Sequence, residues 1–152
     1  MSIVVRLEEQ RLDPEQELGE LLRQASGEGA VVSFVGVARP TSKAGKPIED
    51  LVLDYHSTLT RKSLEDIAVG AAERFDVNHV HVVHRCGTVA VGQPIVFAGA
   101  AGGHRRAAFD CADYLMDRLK TEAVFWKREV GAGGSEWIEP TDADYADRDR
   151  WG

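Results

Sequence analysis

The sequence lacks the features that mark several large classes of protein. It has only two cysteines, Cys86 and Cys111, which lie far apart and form no CxxC pair, so neither a disulfide framework nor a zinc site is indicated. No apolar run approaches the roughly 20 residues needed to cross a bilayer, and the first residues do not resemble a signal peptide. We therefore expect a cytoplasmic protein without a membrane segment.

Positive charge is scarce as well. The 18 Lys and Arg residues are outnumbered by 25 Asp and Glu, which gives a formal net charge of -7. A nucleic-acid-binding surface would normally be basic, so this class is disfavoured. A length of 152 residues suits one domain with its own core. We predict a single domain over residues 1–139 and an acidic tail, residues 140–152, that is loosely held unless Trp151 anchors it.

The sequence does contain a regular succession of strand and helix patterns. Their predicted order is β-α-β-β-α-β-β-α-β-β, which is typical of an α+β protein with a mixed or largely antiparallel sheet. Residues 29–37 are apolar on both faces and rich in valine. This pattern predicts a buried central strand.

The most informative stretch is residues 104–129. Apolar residues recur every four positions from Ala107 to Leu119 and predict the buried face of a helix of about four turns. The first turn carries His104 and Arg105, where cations oppose the helix dipole unless an anion also binds. Free main-chain N–H groups at the same end would add to the attraction, so we predict a phosphate site there.

Two lysines follow in the same stretch. Lys120 ends the helix pattern, and Lys127 comes seven residues later, beside Trp126 in a strand-like apolar run. Lysines in general are mostly exposed and without a chemical role. A lysine that is partly desolvated and close to other cations has a lowered pKa and can act as a base or nucleophile near neutral pH. We predict that Lys120 and Lys127 are catalytic, with Arg39 as a weaker site candidate.

The histidines and cysteines are less persuasive candidates. His79 and His81 share a strand face, but His84 does not, and no carboxylate spacing completes a ligand set, so we predict no metal site. Cys111 falls on the apolar helix face and is predicted to be a core residue. Cys86, at a strand end, remains the alternative candidate for a reactive thiol.

Three motifs stand out: HRxxAF in residues 104–109, DxLK in residues 117–120 and FWKxE in residues 125–129. Further blocks keep their order along residues 3–139, namely residues 29–36 with Arg39, Leu53-Asp54-Tyr55, His84-Arg85 with Gly87, and Trp137. Together these blocks resemble the large, catalytic subunit of molybdopterin synthase. One departure is Val124, where the family usually has a proline. It predicts a looser turn into the last motif.

The resemblance implies a fold, a partner and a reaction. The family has an α/β hammerhead-type fold with a small added β subdomain, and its central homodimer forms a heterotetramer with a small ubiquitin-like sulfur-carrier subunit at each end. The carrier's C-terminal Gly-Gly thiocarboxylate enters a pocket of the large subunit. Two sulfurs pass to cyclic pyranopterin monophosphate, which yields the dithiolene of molybdopterin. We expect no cofactor.

The resemblance also implies site residues. Lys120 would act on the terminal carbonyl of the carrier, and Lys127 on the substrate. The implied substrate-binding residues are Val37, Ala38, Arg39, His104, Arg105, Arg128 and Glu129, of which His104 and Arg105 would reach the site across the dimer. Two alternatives remain open. One is a non-catalytic adaptor that docks a ubiquitin-like protein and needs neither lysine, and the other is a sulfurtransferase that carries sulfur on Cys86.

Overall fold

The computed structural model describes residues 1–152 and contains eight strands and four helices. In chain order they are β1 Ser2–Glu8, α1 Pro14–Gln24, β2 Ala30–Val37, β3 Asp50–Tyr55, α2 Ser57–Arg74, β4 His79–Arg85, β5 Gly87–Ala90, β6 Pro94–Gly102, α3 Arg105–Glu122, β7 Phe125–Gly131, β8 Gly134–Ile138 and α4 Asp142–Asp149. The predicted succession is confirmed, except that it lacks β5 and α4. No helix combines the length and the apolar character needed to cross a membrane.

Four strands form a mixed sheet in the order β1-β4-β6-β2. β1 and β4 are parallel, and the other neighbours are antiparallel. Because successive side chains of a strand point to opposite faces, Val80 and Val82 of β4 pack in the main core with α2 and α3, whereas Val83 packs with Leu21 of α1. Helices thus cover both faces of the sheet, which is why β4 and β6 are buried along their length.

β2 lies at the edge of this sheet, so the prediction that residues 29–37 form a central buried strand is wrong. β2 pairs with β6 alone, and 44%, 36% and 48% of the surface of Phe34, Val35 and Val37 is exposed. An apolar strand indicates that another surface packs on it, but that surface can belong to a different chain. An uncovered apolar edge strand is a surface on which another chain can pack.

The remaining strands form a smaller antiparallel sheet in the order β5-β3-β7-β8. Its own core is small, with Leu53 and Val89 fully buried beside Ala38. β7 follows α3 after a link of only two residues, so the chain passes directly from the main helix into this sheet. The α+β class, the mixed sheet and the added β subdomain are confirmed.

The C-terminal residues form the helix α4, which the sequence patterns did not predict. Thr141 caps this helix: its Oγ1 accepts a hydrogen bond from the Asp144 N–H at 3.1 Å, and the Asp144 carboxylate accepts one from the Thr141 N–H at 2.8 Å. Trp151 anchors the end of the chain, as predicted, with its ring edge-to-face on Phe75 and Tyr114 at 5.6 and 5.5 Å. A good cap and one aromatic anchor thus compensate for the acidic composition of this segment.

We expect Trp151→Ala to lower the free energy of unfolding by about 2 kcal/mol, because the ring contacts are lost and a gap remains. The indole N–H also donates to Asp117 Oδ2 at 2.7 Å, and this bond disappears too. Urea unfolding followed by circular dichroism measures the change. Tyr145→Ala is the control, because Tyr145 lies on α4 with 39% of its surface exposed and its loss should change stability by less than about 0.5 kcal/mol. Equal effects of the two variants would contradict the anchoring role of Trp151.

Candidate active site

The structure brings Lys120 and Lys127 to the wall of one cleft. Lys120 lies in the last turn of α3, and Lys127 is the third residue of β7. This cleft, the lysine cleft, has a volume of about 360 Å³ and is bounded by the end of β2, α3 and β7. A second cavity of about 490 Å³ also has both lysines in its wall. We call it the aromatic cavity, because Trp126, Trp137 and Tyr145 line it.

The link between α3 and β7 is tied to α2 by hydrogen bonds on both sides of Val124. The Val124 N–H donates to Ser63 Oγ at 3.0 Å, and Thr60 Oγ1 donates to the Val124 carbonyl at 2.6 Å. A proline has no N–H and could not make the first of these bonds. Valine therefore gives this turn a hydrogen bond that a proline could not, and a looser turn stays a prediction. The link holds Lys120 and Lys127 in a fixed relation to each other.

Lys127 has an unusual protonation equilibrium. Burial, reinforced by the positive charge of Lys120, lowers the pKa of Lys127 to about 8, while Asp144 acts in the opposite direction. An appreciable fraction of its amine is neutral slightly above neutral pH, so Lys127 can accept a proton as well as donate one. Lys120 itself is exposed at the helix end. The two lysines are therefore suited to different tasks.

We expect Lys120→Gln to raise the pKa of Lys127 from about 8 toward the ordinary value of 10.5, because a neighbouring positive charge is removed. Asp144→Asn should lower it further, because a stabilising negative charge is lost. An NMR titration of protein labelled with ¹³C at lysine Cε measures both shifts. Lys62→Gln is the control, since Lys62 pairs with Asp66 on the surface of α2 and does not line the cleft. A Lys127 titration that is the same in all variants would contradict this coupling.

Three of the implied substrate-binding residues, Val37, Arg39 and Glu129, line the lysine cleft. Ala38 does not, because only 2% of its surface is exposed. Its N–H donates to the Gln93 carbonyl at 3.0 Å. Ala38 thus fixes the chain that carries its neighbours into the cleft.

Arg128 lies on the opposite face of β7 from Lys127 and Glu129, because side chains alternate along a strand. Its Nε is 3.6 Å from Asp54 Oδ2 on the neighbouring strand β3. The single chain therefore places Arg128 outside the lysine cleft, on the other face of the smaller sheet.

His104 and Arg105 lie at the far end of α3. His104 flanks the first turn, its side chain makes no capping hydrogen bond, and both residues are exposed. At 1.5 Å per residue, the stretch of α3 from Arg105 to Lys120 spans about 22 Å along the helix axis. One chain alone thus does not bring the predicted phosphate site to the lysine cleft. The unpaired N–H groups of the first turn remain suited to an anion.

His84 is a cleft residue that the sequence patterns did not identify. The sequence patterns place it off the strand face of His79 and His81, and the structure gives all three different partners. His79 Nδ1 is 2.6 Å from Ser2 Oγ, and His81 Nε2 is 2.9 Å from Glu17 Oε1. His84, by contrast, lines the lysine cleft. One feature of the sequence could have indicated a functional role: His84 lies near the carboxyl end of a buried strand, where loops often carry functional residues.

Neither cysteine is placed as a nucleophile. Only 1% of the surface of Cys86 is exposed, and burial raises the pKa of its thiol. Cys111 is fully buried in the main core, as predicted, and burial raises its pKa to about 12. An enclosed, protonated thiol is a poor nucleophile. The structure therefore disfavours sulfur transfer through Cys86.

Comparison with known proteins identifies the family. Residues 7–122 match the family model described as MoaE protein. A molybdopterin synthase catalytic subunit from Caulobacter vibrioides is 41% identical over 149 residues, which cover 98% of this chain and 97% of that protein. One from Pseudomonas aeruginosa is 40% identical over 149 residues, which cover 98% and 99%.

Solved structures agree with this assignment. A molybdopterin biosynthesis MoaE protein from Burkholderia ambifaria superposes with a TM-score of 0.81 and 32% identity, over 99% of each chain. A chain from the complex of subunits 1 and 2 of the molybdopterin-converting factor from Helicobacter pylori has the same fold, with a TM-score of 0.72 and 21% identity over 91% of this chain and 90% of that one. The chain belongs to the MoaE protein family. The resemblance is thus confirmed: it is an enzyme of molybdenum cofactor biosynthesis, of the molybdopterin synthase catalytic subunit type.

Proposed function

We propose that the chain transfers sulfur from the thiocarboxylated C-terminus of a small ubiquitin-like carrier to cyclic pyranopterin monophosphate and so forms the dithiolene of molybdopterin. The observation that carries this proposal is the lysine pair, Lys120 and Lys127, in the shared wall of two cavities. Each of the two cavities can hold one reactant, with the lysines between the two. A reaction between two bound molecules requires such an arrangement.

The charge of the lysine cleft suits the pterin substrate. Its wall presents the cations of Arg39, Lys120 and Lys127. The substrate carries a phosphate, and the carrier arrives as a thiocarboxylate, so both reactants are anions. Positive groups fixed in the wall of a cleft stabilise such charges before and during the reaction.

The aromatic cavity suits the tail of the carrier. Trp126, Trp137 and Tyr145 have 51%, 65% and 39% of their surface exposed. Exposed aromatic rings are common where one protein binds another. The chain of similar fold from Helicobacter pylori was solved as a complex of two subunits. We place the Gly-Gly tail in the aromatic cavity and the pterin in the lysine cleft.

The two lysines then have separate roles. Lys120, at the exposed helix end, polarises the terminal carbonyl of the carrier. Lys127, with a pKa of about 8, exchanges protons with the pterin as each sulfur adds and the cyclic phosphate opens. The sulfur arrives on the partner, so no thiol of this chain takes part.

The phosphate site requires a second copy of the chain. Arg39 lines the lysine cleft, and His104 and Arg105 of the other subunit complete the phosphate contacts across a homodimer. The exposed apolar edge of β2 supplies a surface for this dimer. Glu129 orients the pterin from the cleft wall, and Arg128, on the other face of β7, contacts the carrier.

Purified chain mixed with cyclic pyranopterin monophosphate and a thiocarboxylated carrier tests the proposal, with the dithiolene pterin followed by mass. We expect product from the native chain and none from Lys120→Ala. Carrier binding without product would favour the adaptor alternative. Full activity in Cys86→Ser would exclude the thiol alternative. A cytoplasmic location stays a prediction.

A further inference from the structure

His84 lies in the wall of the lysine cleft with one ring nitrogen already occupied. Only 4% of its surface is exposed, and its Nδ1 is 2.7 Å from the main-chain carbonyl oxygen of Arg85. A carbonyl oxygen can only accept a hydrogen bond, so Nδ1 carries a proton and donates it to this bond. The ring also stacks on Phe125, with centroids 4.3 Å apart and planes inclined by 25°. These two contacts fix the orientation of the imidazole.

The second ring nitrogen, Nε2, carries no proton. Burial, together with the positive charge of Lys127, lowers the pKa of His84 to about 3, so the ring is neutral at any working pH. A neutral imidazole with its proton on Nδ1 has a bare lone pair on Nε2. No donor of the protein bonds Nε2. His81 Nδ1 also lacks a partner but is sealed from solvent, whereas Nε2 of His84 is not sealed. Nε2 of His84 is therefore a hydrogen-bond acceptor reached from the cleft.

A neutral acceptor is unusual in this cleft, whose other polar groups are mostly cations that only donate. Glu129 also accepts, but its negative charge would repel an anionic ligand placed beside it, whereas a neutral imidazole would not. In the complex, water is displaced from Nε2, so a ligand that offers a donor there binds better than one that leaves the acceptor unpaired. The cleft is thus built to bind a molecule that has both an anionic group and an N–H or O–H donor.

We propose that His84 binds the pterin substrate, with Nε2 accepting a hydrogen bond from an N–H or O–H of the pterin beside Lys127. This inference rests on the proposed function and adds a specificity residue to it. His84 selects ligands that carry a donor at this position, since an analogue with a methyl group or a carbonyl there leaves Nε2 unpaired.

Two variants separate the acceptor from the shape of the ring. His84→Phe keeps a flat ring to stack on Phe125 but has no acceptor, and His84→Gln restores an acceptor oxygen at a similar reach. We expect His84→Phe to raise the KM and the Kd for the pterin by about tenfold or more, with a smaller change in kcat and no change in carrier affinity. His84→Gln should recover most of the lost affinity. Melting temperatures of both variants show whether each is folded.

Nitrogen-15 NMR of native protein labelled at histidine gives a test that does not depend on the variants' folding. The Nε2 of His84 should resonate far downfield in the free protein, as a bare ring nitrogen does, and move upfield when the pterin binds. A folded His84→Phe with native pterin affinity, or an Nε2 signal that the pterin leaves unmoved, would overturn the inference while the sulfur-transfer proposal stands. A native chain that neither binds nor converts the pterin would overturn both.

Discussion

Lys127→Ala is expected to lower the rate of dithiolene formation by about a thousandfold at saturating carrier and pterin. Single groups that transfer a proton or stabilise charge accelerate reactions by factors of this size. Lys127 lies in the wall of both cavities, and its pKa of about 8 makes it the lysine best suited to exchange protons near neutral pH. The substitution removes both that proton and a positive charge. Initial rates, measured as product mass across a pH series, test the expectation.

Lys127→Arg distinguishes the two roles of this residue. Arginine keeps the positive charge but does not deprotonate in proteins. A rate as low as that of the alanine variant would assign proton transfer to Lys127, and a partial recovery would assign charge stabilisation. Lys62→Ala, on the surface of α2, should keep the native rate. A folded Lys127→Ala chain with native turnover would remove Lys127 from the mechanism.

The sequence patterns predicted most elements of the fold but not the order of strands in the sheets. β2 and β6 are both apolar on either face, and only their pairing decides that β6 lies inside the sheet and β2 at its edge. Strand order depends on contacts between distant parts of the chain, which no local pattern contains. The helix α4 had a local signal in Thr141 and Asp144, three residues apart as a capping box requires. The acidic composition of the tail obscured that signal.

The candidate site also has features that the sequence predicts and others that it does not. The meeting of Lys120 and Lys127 was predictable, because a helix end, a two-residue link and a strand leave little freedom between them. The separation of Arg105 from Lys120 also follows from the helix, since two ends of one straight helix cannot share a pocket. The place of His84 beside Lys127 was not predictable, because β4 and β7 belong to different sheets.

Mixed dimers made from two variants of low activity are expected to recover turnover, which is the second large effect. Arg105→Ala should reduce turnover by about a hundredfold by weakening the hold on the pterin phosphate. Lys127→Ala is inactive for a different reason. Because Arg105 lies about 22 Å along α3 from Lys120 of its own chain, we expect it to serve the cleft of the other subunit.

Chains carrying Arg105→Ala and Lys127→Ala, each with a different affinity tag, can be co-expressed and the mixed dimer purified on both tags. If Arg105 acts across the dimer, one of the two sites in the mixed dimer has both native residues, and the dimer regains about half of the native rate. If it acts within its own chain, both sites lack one residue and the dimer stays inactive. The control pairs Lys120→Ala with Lys127→Ala, which line the same cleft, and it should show no recovery. A mixed dimer of the Arg105 pair that stays as inactive as the control would show that Arg105 does not act on the cleft of the other subunit.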